Sequence, residues 1–210
     1  RNELYDLLGT HANSQALVEQ SVDLANQYLN DTTSVPSGIA GTAIEIATKN
    51  TKDGEQSKWF NAIVDAFKKA QLPNVKSTLI YSMHFKDKTS VFKMLDLALT
   101  EDITPANTMY MVVSVARNLD DHSLLYEWLD RNHEALIKKM PDYHVSRMPE
   151  FVSTTCSSEN LELANNFYGK ISNKYQGMSR GVEIMQDESK QCMRLKTAFQ
   201  DDFDRFLNSQ

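Results

Sequence analysis

The residues of this sequence whose types could carry chemistry are few, and their spacing serves that chemistry poorly. His133-Glu134-Ala135-Leu136-Ile137 comes nearest to a metal motif. A zinc-peptidase helix needs histidines at i and i+4 with a glutamate between them, so that both imidazoles face one ion. Here the second position is Ile137, which belongs to an apolar stripe, and His133 reads as a partly exposed helix residue. His11, His84, His122 and His144 are scattered without ligand spacing. Cys156 and Cys192 have no CxxC partner and no paired histidine in a local signature, so each reads as a small core residue rather than a nucleophile. Gly177-Met178-Ser179-Arg180-Gly181 lacks the strand and the lysine of a phosphate loop. No catalytic residue and no metal ligand is expected in this chain. One sequon, Asn30-Asp31-Thr32, is present; such triplets are common by chance and alone say little about secretion.

The composition is that of an ordinary globular protein, with 210 residues, 41% hydrophobic and 24% charged. That length can bury a sizeable core. The formal charge is −6 and the Lys and Arg residues are dispersed. Nucleic-acid binding would call for a basic stripe, so no nucleic-acid partner is expected. No apolar run approaches the roughly 20 residues needed to span a bilayer, so no membrane partner is expected either. Two cysteines are too few for a disulfide scaffold, and no targeting segment is visible, which leans towards a cytoplasmic location. The sequence begins at Arg1 without an initiator methionine, as a piece of a longer protein would.

The elements that must position these residues are helices. Only 7 Gly and 5 Pro are present, and Pro36, Pro73 and Pro105 stand where helices should begin, losing only a donor that would be unpaired there anyway. Helical periodicity predicts helices from Ser14 to about Leu29, from Pro36, from Gly54 to Ala70, from Pro73 to Phe85, after Asp87, from Pro105, and from Asp121 through Ile137. Pro141 interrupts. A short segment follows around Arg147–Phe151, then a helix capped by Ser157 or Ser158, then one long amphipathic pattern from Met178 to Leu207. That last stripe holds Val182, Met185, Cys192, Leu195, Phe199, Phe203 and Phe206. The nine methionines fall mostly on apolar stripes and read as core. No alternating strand pattern or hairpin signal appears. The three prolines are 37 and 32 residues apart, with two helical patterns in each interval, which is the rhythm of an α-solenoid of stacked antiparallel pairs (a HEAT- or armadillo-like superhelix). Residues 1–210 are expected to form a single all-α domain. A compact helical bundle is the competing architecture.

Five stretches, in order along the chain, carry a resemblance. They are Ser34-Val35-Pro36-Ser37-Gly38-Ile39-Ala40 leading into Ala43–Ala47; Leu79–Met83 with Asp87-Lys88 and Met94–Leu99; Ile103–Asn118, ending Val115-Ala116-Arg117-Asn118; Leu125-Tyr126-Glu127-Trp128-Leu129 through Leu136; and Thr155-Cys156-Ser157-Ser158-Glu159 into Asn166-Phe167-Tyr168. Together they resemble the C-terminal helical domain of zinc aminopeptidases of the puromycin-sensitive, aminopeptidase N and endoplasmic-reticulum aminopeptidase group. His133 stands where the family usually has Trp, and Ser37–Ala40 replace the charged residues that commonly follow the helix-start proline. The HExxH zinc motif and the Gly-x-Met-Glu-Asn strand are absent; in that family they lie on earlier domains.

The resemblance implies a non-catalytic bowl that closes over the catalytic domain of the same polypeptide and shapes the cavity for peptide substrates. It implies no cofactor in this chain, with zinc held by the parent enzyme elsewhere. Carried over by position, His84-Phe85-Lys86 matches a bend that in some members offers a cation to a peptide carboxylate, which makes Lys86 and His84 peptide-facing candidates; a solvated turn is the alternative. Arg117 and Arg180 are further candidates for inward-facing cations, or partners of a neighbouring acid. A freestanding α-solenoid adaptor and a catalytically dead aminopeptidase-like protein are the competing functions.

Overall fold

Apolar residues at helical spacing and a shortage of glycine drive this chain into helix. The computed structural model, which describes residues 5, 9, 14–52 and 54–208, has ten α-helices and no strand among those residues. They are α1 (Gln15–Asn30), α2 (Ser37–Lys49), α3 (Gln56–Lys69), α4 (Pro73–Tyr81), α5 (Lys88–Leu99), α6 (Pro105–Asn118), α7 (Ser123–Lys139), α8 (Asp142–Ser153), α9 (Ser158–Ile171) and α10 (Met178–Asn208). The fold is all-α and solenoid-like, as the sequence predicts. The chain divides into two compact units, Arg1–Asn118 and Leu119–Gln210.

In the first unit α1 pairs with α2, α3 with α4, and α5 with α6. Stacking of the pairs builds two layers, α1-α3-α5 and α2-α4-α6. The three helix-start prolines all serve the second layer: Pro73 and Pro105 are the first residues of α4 and α6, and Pro36 immediately precedes α2. The proline rhythm is therefore the spacing of the second helix of each pair. Helix α2 packs on both α1 and α4 and does so with small or slender buried residues, Ala40, Ala43, Ile44 and Ala47. Helix α4 stops at Tyr81, four residues short of the Phe85 that periodicity predicts. Met83 and Phe85 remain fully buried past the helix end. Side chains from neighbouring helices take up the backbone groups that another helical turn would have used.

In the second unit α7 packs on α9, α8 on α10, and α9 also touches α8 and α10. Trp128, Leu129, Phe167 and Tyr168 fill its centre. The Phe167 ring lies 5.7 Å from Tyr126 and 5.0 Å from Tyr168. The segment after Pro141, expected to be short, is a 12-residue helix that contains Pro149 in its interior. Gly181 of α10 lies so close to α8 that a Cβ there would collide with the Ser146 carbonyl oxygen and sit 3.3 Å from the Pro149 ring. Gly177, with φ +78°, makes the left-handed turn that launches α10. The two glycines that resemble a failed phosphate loop are thus a turn and a close helix crossing.

Cys156 and Cys192 correct the sequence reading. They are not core residues: Cys156 is exposed and Cys192 half-buried, and they form a disulfide across 36 residues with a Cα–Cα distance of 5.2 Å. The bond ties the α8–α9 loop to α10, and the Thr155 N–H donates to Ser189 Oγ (3.1 Å) beside it. A loop of that length is worth about 4 kcal/mol in the chain-entropy account. Eight of the nine methionines are buried, so they are core, as expected. The apolar stripe of α10, by contrast, outruns the core. Ser189 is its last buried side chain among the described residues, and Leu195, Phe199, Phe203 and Phe206 are exposed. Asp202 and Asp204 lie on an exposed stretch of the same helix, with Asp202 paired to Arg205, while the Asp201 side chain lies outside the described residues.

Two stability predictions follow from the second unit. Gly181→Ala should cost about 1–3 kcal/mol, the range for an overpacked contact, read as a lower denaturant midpoint in chemical unfolding. His144 is buried on α8, and loss of hydration holds its pKa below the ordinary value. Its neutral form is favoured by folding, so that stabilisation is complete above the unfolded pKa of about 6.5 and is lost as the pH falls through the lower folded value. Melting temperature should drop on acidification below that point, with a shallower slope in His144→Asn.

Candidate functional site

Among the described residues no group of three His, Cys, Asp or Glu side chains is placed to hold a metal ion. His133 turns its Nδ1 to the Leu129 carbonyl at 3.1 Å and sets its ring edge-on to Phe167. It is a half-buried packing residue of α7. Two shallow hollows lack a reactive constellation. One, of about 460 Å³, lies against α1 and α2 beside Leu24, Gln27, Val35, Pro36 and Ile39. The other, of about 500 Å³, lies in the second unit beside Asp142, Tyr143, Ser146 and Tyr175.

The best-built polar feature is the bend between α4 and α5, residues 82–87, where two of the four candidates from the sequence lie. Its backbone is fixed by side chains from three helices. The His84 N–H donates to Thr48 Oγ1 at the end of α2 (3.0 Å). Gln56 Oε1, at the start of α3, accepts from the N–H groups of both Lys86 (3.0 Å) and Asp87 (3.2 Å). Asn118 Nδ2, at the end of α6, donates to the Met83 carbonyl (2.8 Å). The Ser114 hydroxyl donates to the Tyr81 carbonyl (3.3 Å). Asp87 then caps α5 by accepting from the Ser90 N–H (3.0 Å). The C-terminal ends of α2, α4 and α6 and the N-terminal ends of α3 and α5 all meet here, as antiparallel pairing requires.

The four predicted cations separate. Lys86 is exposed on the bend. His84 is turned inward at 8% exposure, with Nδ1 3.8 Å from Glu45 Oε1, beyond hydrogen-bond reach. Arg117 is exposed in the last turn of α6, where the helix dipole favours a cation. The Asn118 bond brings that helix end, and Arg117 with it, to the bend that carries His84 and Lys86. Arg180 lies in the second unit, exposed in the first turn of α10 and paired with Glu183 at 2.7 Å, which is the alternative the sequence left open for it. Burial near Tyr110 pushes the Tyr81 phenol above its usual range, so it stays neutral at physiological pH.

Sequence reasoning missed the residues that shape the bend. Gln56 and Thr48 act on groups 30 and 36 residues away, and no local pattern marks such a bond. Only Asn118 carried a signal, as the polar end of an apolar helix.

The described residues form an all-α fold whose first unit stacks helices in pairs. Over residues 1–191, across both units, the sequence matches the family described as the ERAP1-like C-terminal domain. The chain belongs to that family and is the C-terminal domain of an aminopeptidase-type enzyme. Comparison with curated proteins gives no match.

Asn118→Ala would leave the Met83 carbonyl without its donor in a partly buried site. The expected cost is about 1–3 kcal/mol, measured by urea unfolding. Asn118→Asp should not rescue, because a carboxylate cannot donate to a carbonyl.

Proposed function

We propose that this chain is the non-catalytic domain that closes over the catalytic domain of a zinc-dependent aminopeptidase and shapes the cavity receiving its peptide substrate. Its direct partners would be that catalytic domain, within the same polypeptide, and the distal part of a bound peptide. The observation that carries the reading is the family match across both units. In this proposal the zinc is held by residues outside this chain, in keeping with the described residues, among which no group of three His, Cys, Asp or Glu is placed to hold a metal ion.

The bend supports the second half of the proposal. A Lys on a backbone pinned from three helices is a charge held in a defined place, with Arg117 on the adjoining helix end. A peptide carboxylate remote from the scissile bond is the ligand such cations suit. A partly exposed charge contact of this kind is worth no more than about 1 kcal/mol, a factor of about five in affinity.

The test is Lys86→Ala in the intact enzyme, comparing kcat/KM for an aminoacyl reporter with that for a peptide several times longer. A loss of up to about fivefold confined to the long peptide is expected. An equal loss on both would indicate a packing defect, and no loss on either would make Lys86 a solvated turn residue.

A further inference from the structure

We propose that Asn30 is an N-glycosylation site and that this chain matures in an oxidising secretory compartment. Two features at separate places in the molecule lead there, and neither depends on the function proposed above.

The first is the state of the cysteines. The chain has two, Cys156 and Cys192, and they are bonded to each other with a Cα–Cα distance of 5.2 Å, inside the range an unstrained backbone allows. Neither is buried, so neither serves as a small apolar filler; pairing is the role their positions give them. An exposed disulfide is open to attack by thiols and would be held reduced by the glutathione and thioredoxin systems of the cytosol. Forming it removes two protons and two electrons from the thiols, taken up by the disulfide of a thiol oxidoreductase, which becomes a dithiol. This replaces the cytoplasmic expectation drawn from the cysteine count.

The second feature is the sequon Asn30-Asp31-Thr32, the one such triplet in the sequence. Asn30 is the last residue of α1 and is exposed. The following turn is closed by groups other than those of the acceptor pair. Asp31 Oδ1 accepts from the Thr33 N–H (2.9 Å) and the Thr33 hydroxyl (2.7 Å), and the Ser34 hydroxyl donates to the Asp31 carbonyl (2.6 Å). The carboxylate between Asn30 and Thr32 is therefore engaged with Thr33. A bulky polar glycan at a helix end of this kind costs no core packing. Transfer joins Asn30 Nδ2 to the anomeric carbon of the first N-acetylglucosamine of a lipid-diphosphate-linked oligosaccharide. The anomeric carbon–phosphate oxygen bond breaks, the lipid diphosphate leaves with the bonding pair, and the amide loses one proton.

The experiment uses the full-length protein from its native source, alkylated without reduction and digested. The peptides of Cys156 and Cys192 should be recovered joined, and the Asn30 peptide should appear as aspartate only after treatment with a peptide N-glycosidase in isotopically labelled water. In a eukaryotic secretory host, Asn30→Gln and Thr32→Ala should each abolish the mobility shift caused by that enzyme at this peptide, while Thr32→Ser keeps it. Recovery of Asn30 as unmodified asparagine overturns the proposal, as does alkylation of both cysteines without prior reduction.

Discussion

The bend at residues 82–87 is the constraint on which the first unit depends. A chain that leaves α4 and re-enters helix at α5 must expose the carbonyls at the end of one helix and the amides at the start of the next. Here that happens among buried side chains, Met83 and Phe85, where unpaired backbone groups would be costly. Thr48, Gln56, Ser114 and Asn118 supply the missing partners. Each belongs to a different pair from the one that ends at the bend, or to the opposite helix of its own pair. Satisfying one stretch of backbone thus fixes the stacking of all three pairs. Apolar contacts between helices can slide; directional hydrogen bonds to an irregular backbone cannot.

The second unit uses the same device once more. The Asn160 side chain, in the first turn of α9, accepts from the His122 N–H (3.0 Å) and donates to the Asp120 carbonyl (2.9 Å), pinning the segment that precedes α7. An amide side chain suits this task because it offers both a donor and an acceptor. The close contact of α8 with α10 is set differently, by the absence of a side chain at Gly181. A disulfide then holds the α8–α9 loop to the same helix.

These constraints bear on the proposed function through rigidity. A surface that receives a peptide away from the reacting bond contributes only if its charges are in place before the peptide arrives, since ordering a long side chain and its loop at that moment offsets the contact. Lys86 follows a backbone with its amides bonded on both sides of its own position. Arg117 projects from a helix end joined to that backbone. The origin of the Lys86 side chain is thereby fixed.

Much of this was legible from the residues alone, and the reason is locality. Apolar spacing marked the helices, the three prolines marked one layer of the stack, and the methionines announced themselves as core. The collinear motifs placed the chain in its family. What stayed hidden depended on partners distant in sequence. Periodicity carried α4 to Phe85 because Met83 and Phe85 are apolar, yet Asn118 and Thr48 turn the chain aside. Cys156 and Cys192 looked like isolated core residues until folding brought a loop against α10. The amphipathic stripe of Leu195, Phe199 and Phe203 is exposed, because amphipathicity shows that a face is apolar and not that another helix reaches it. His84 and Lys86, two residues apart, shared one reading from sequence. Tertiary packing turned one inward and left the other in water, because in an irregular bend no periodicity assigns a side chain to a face.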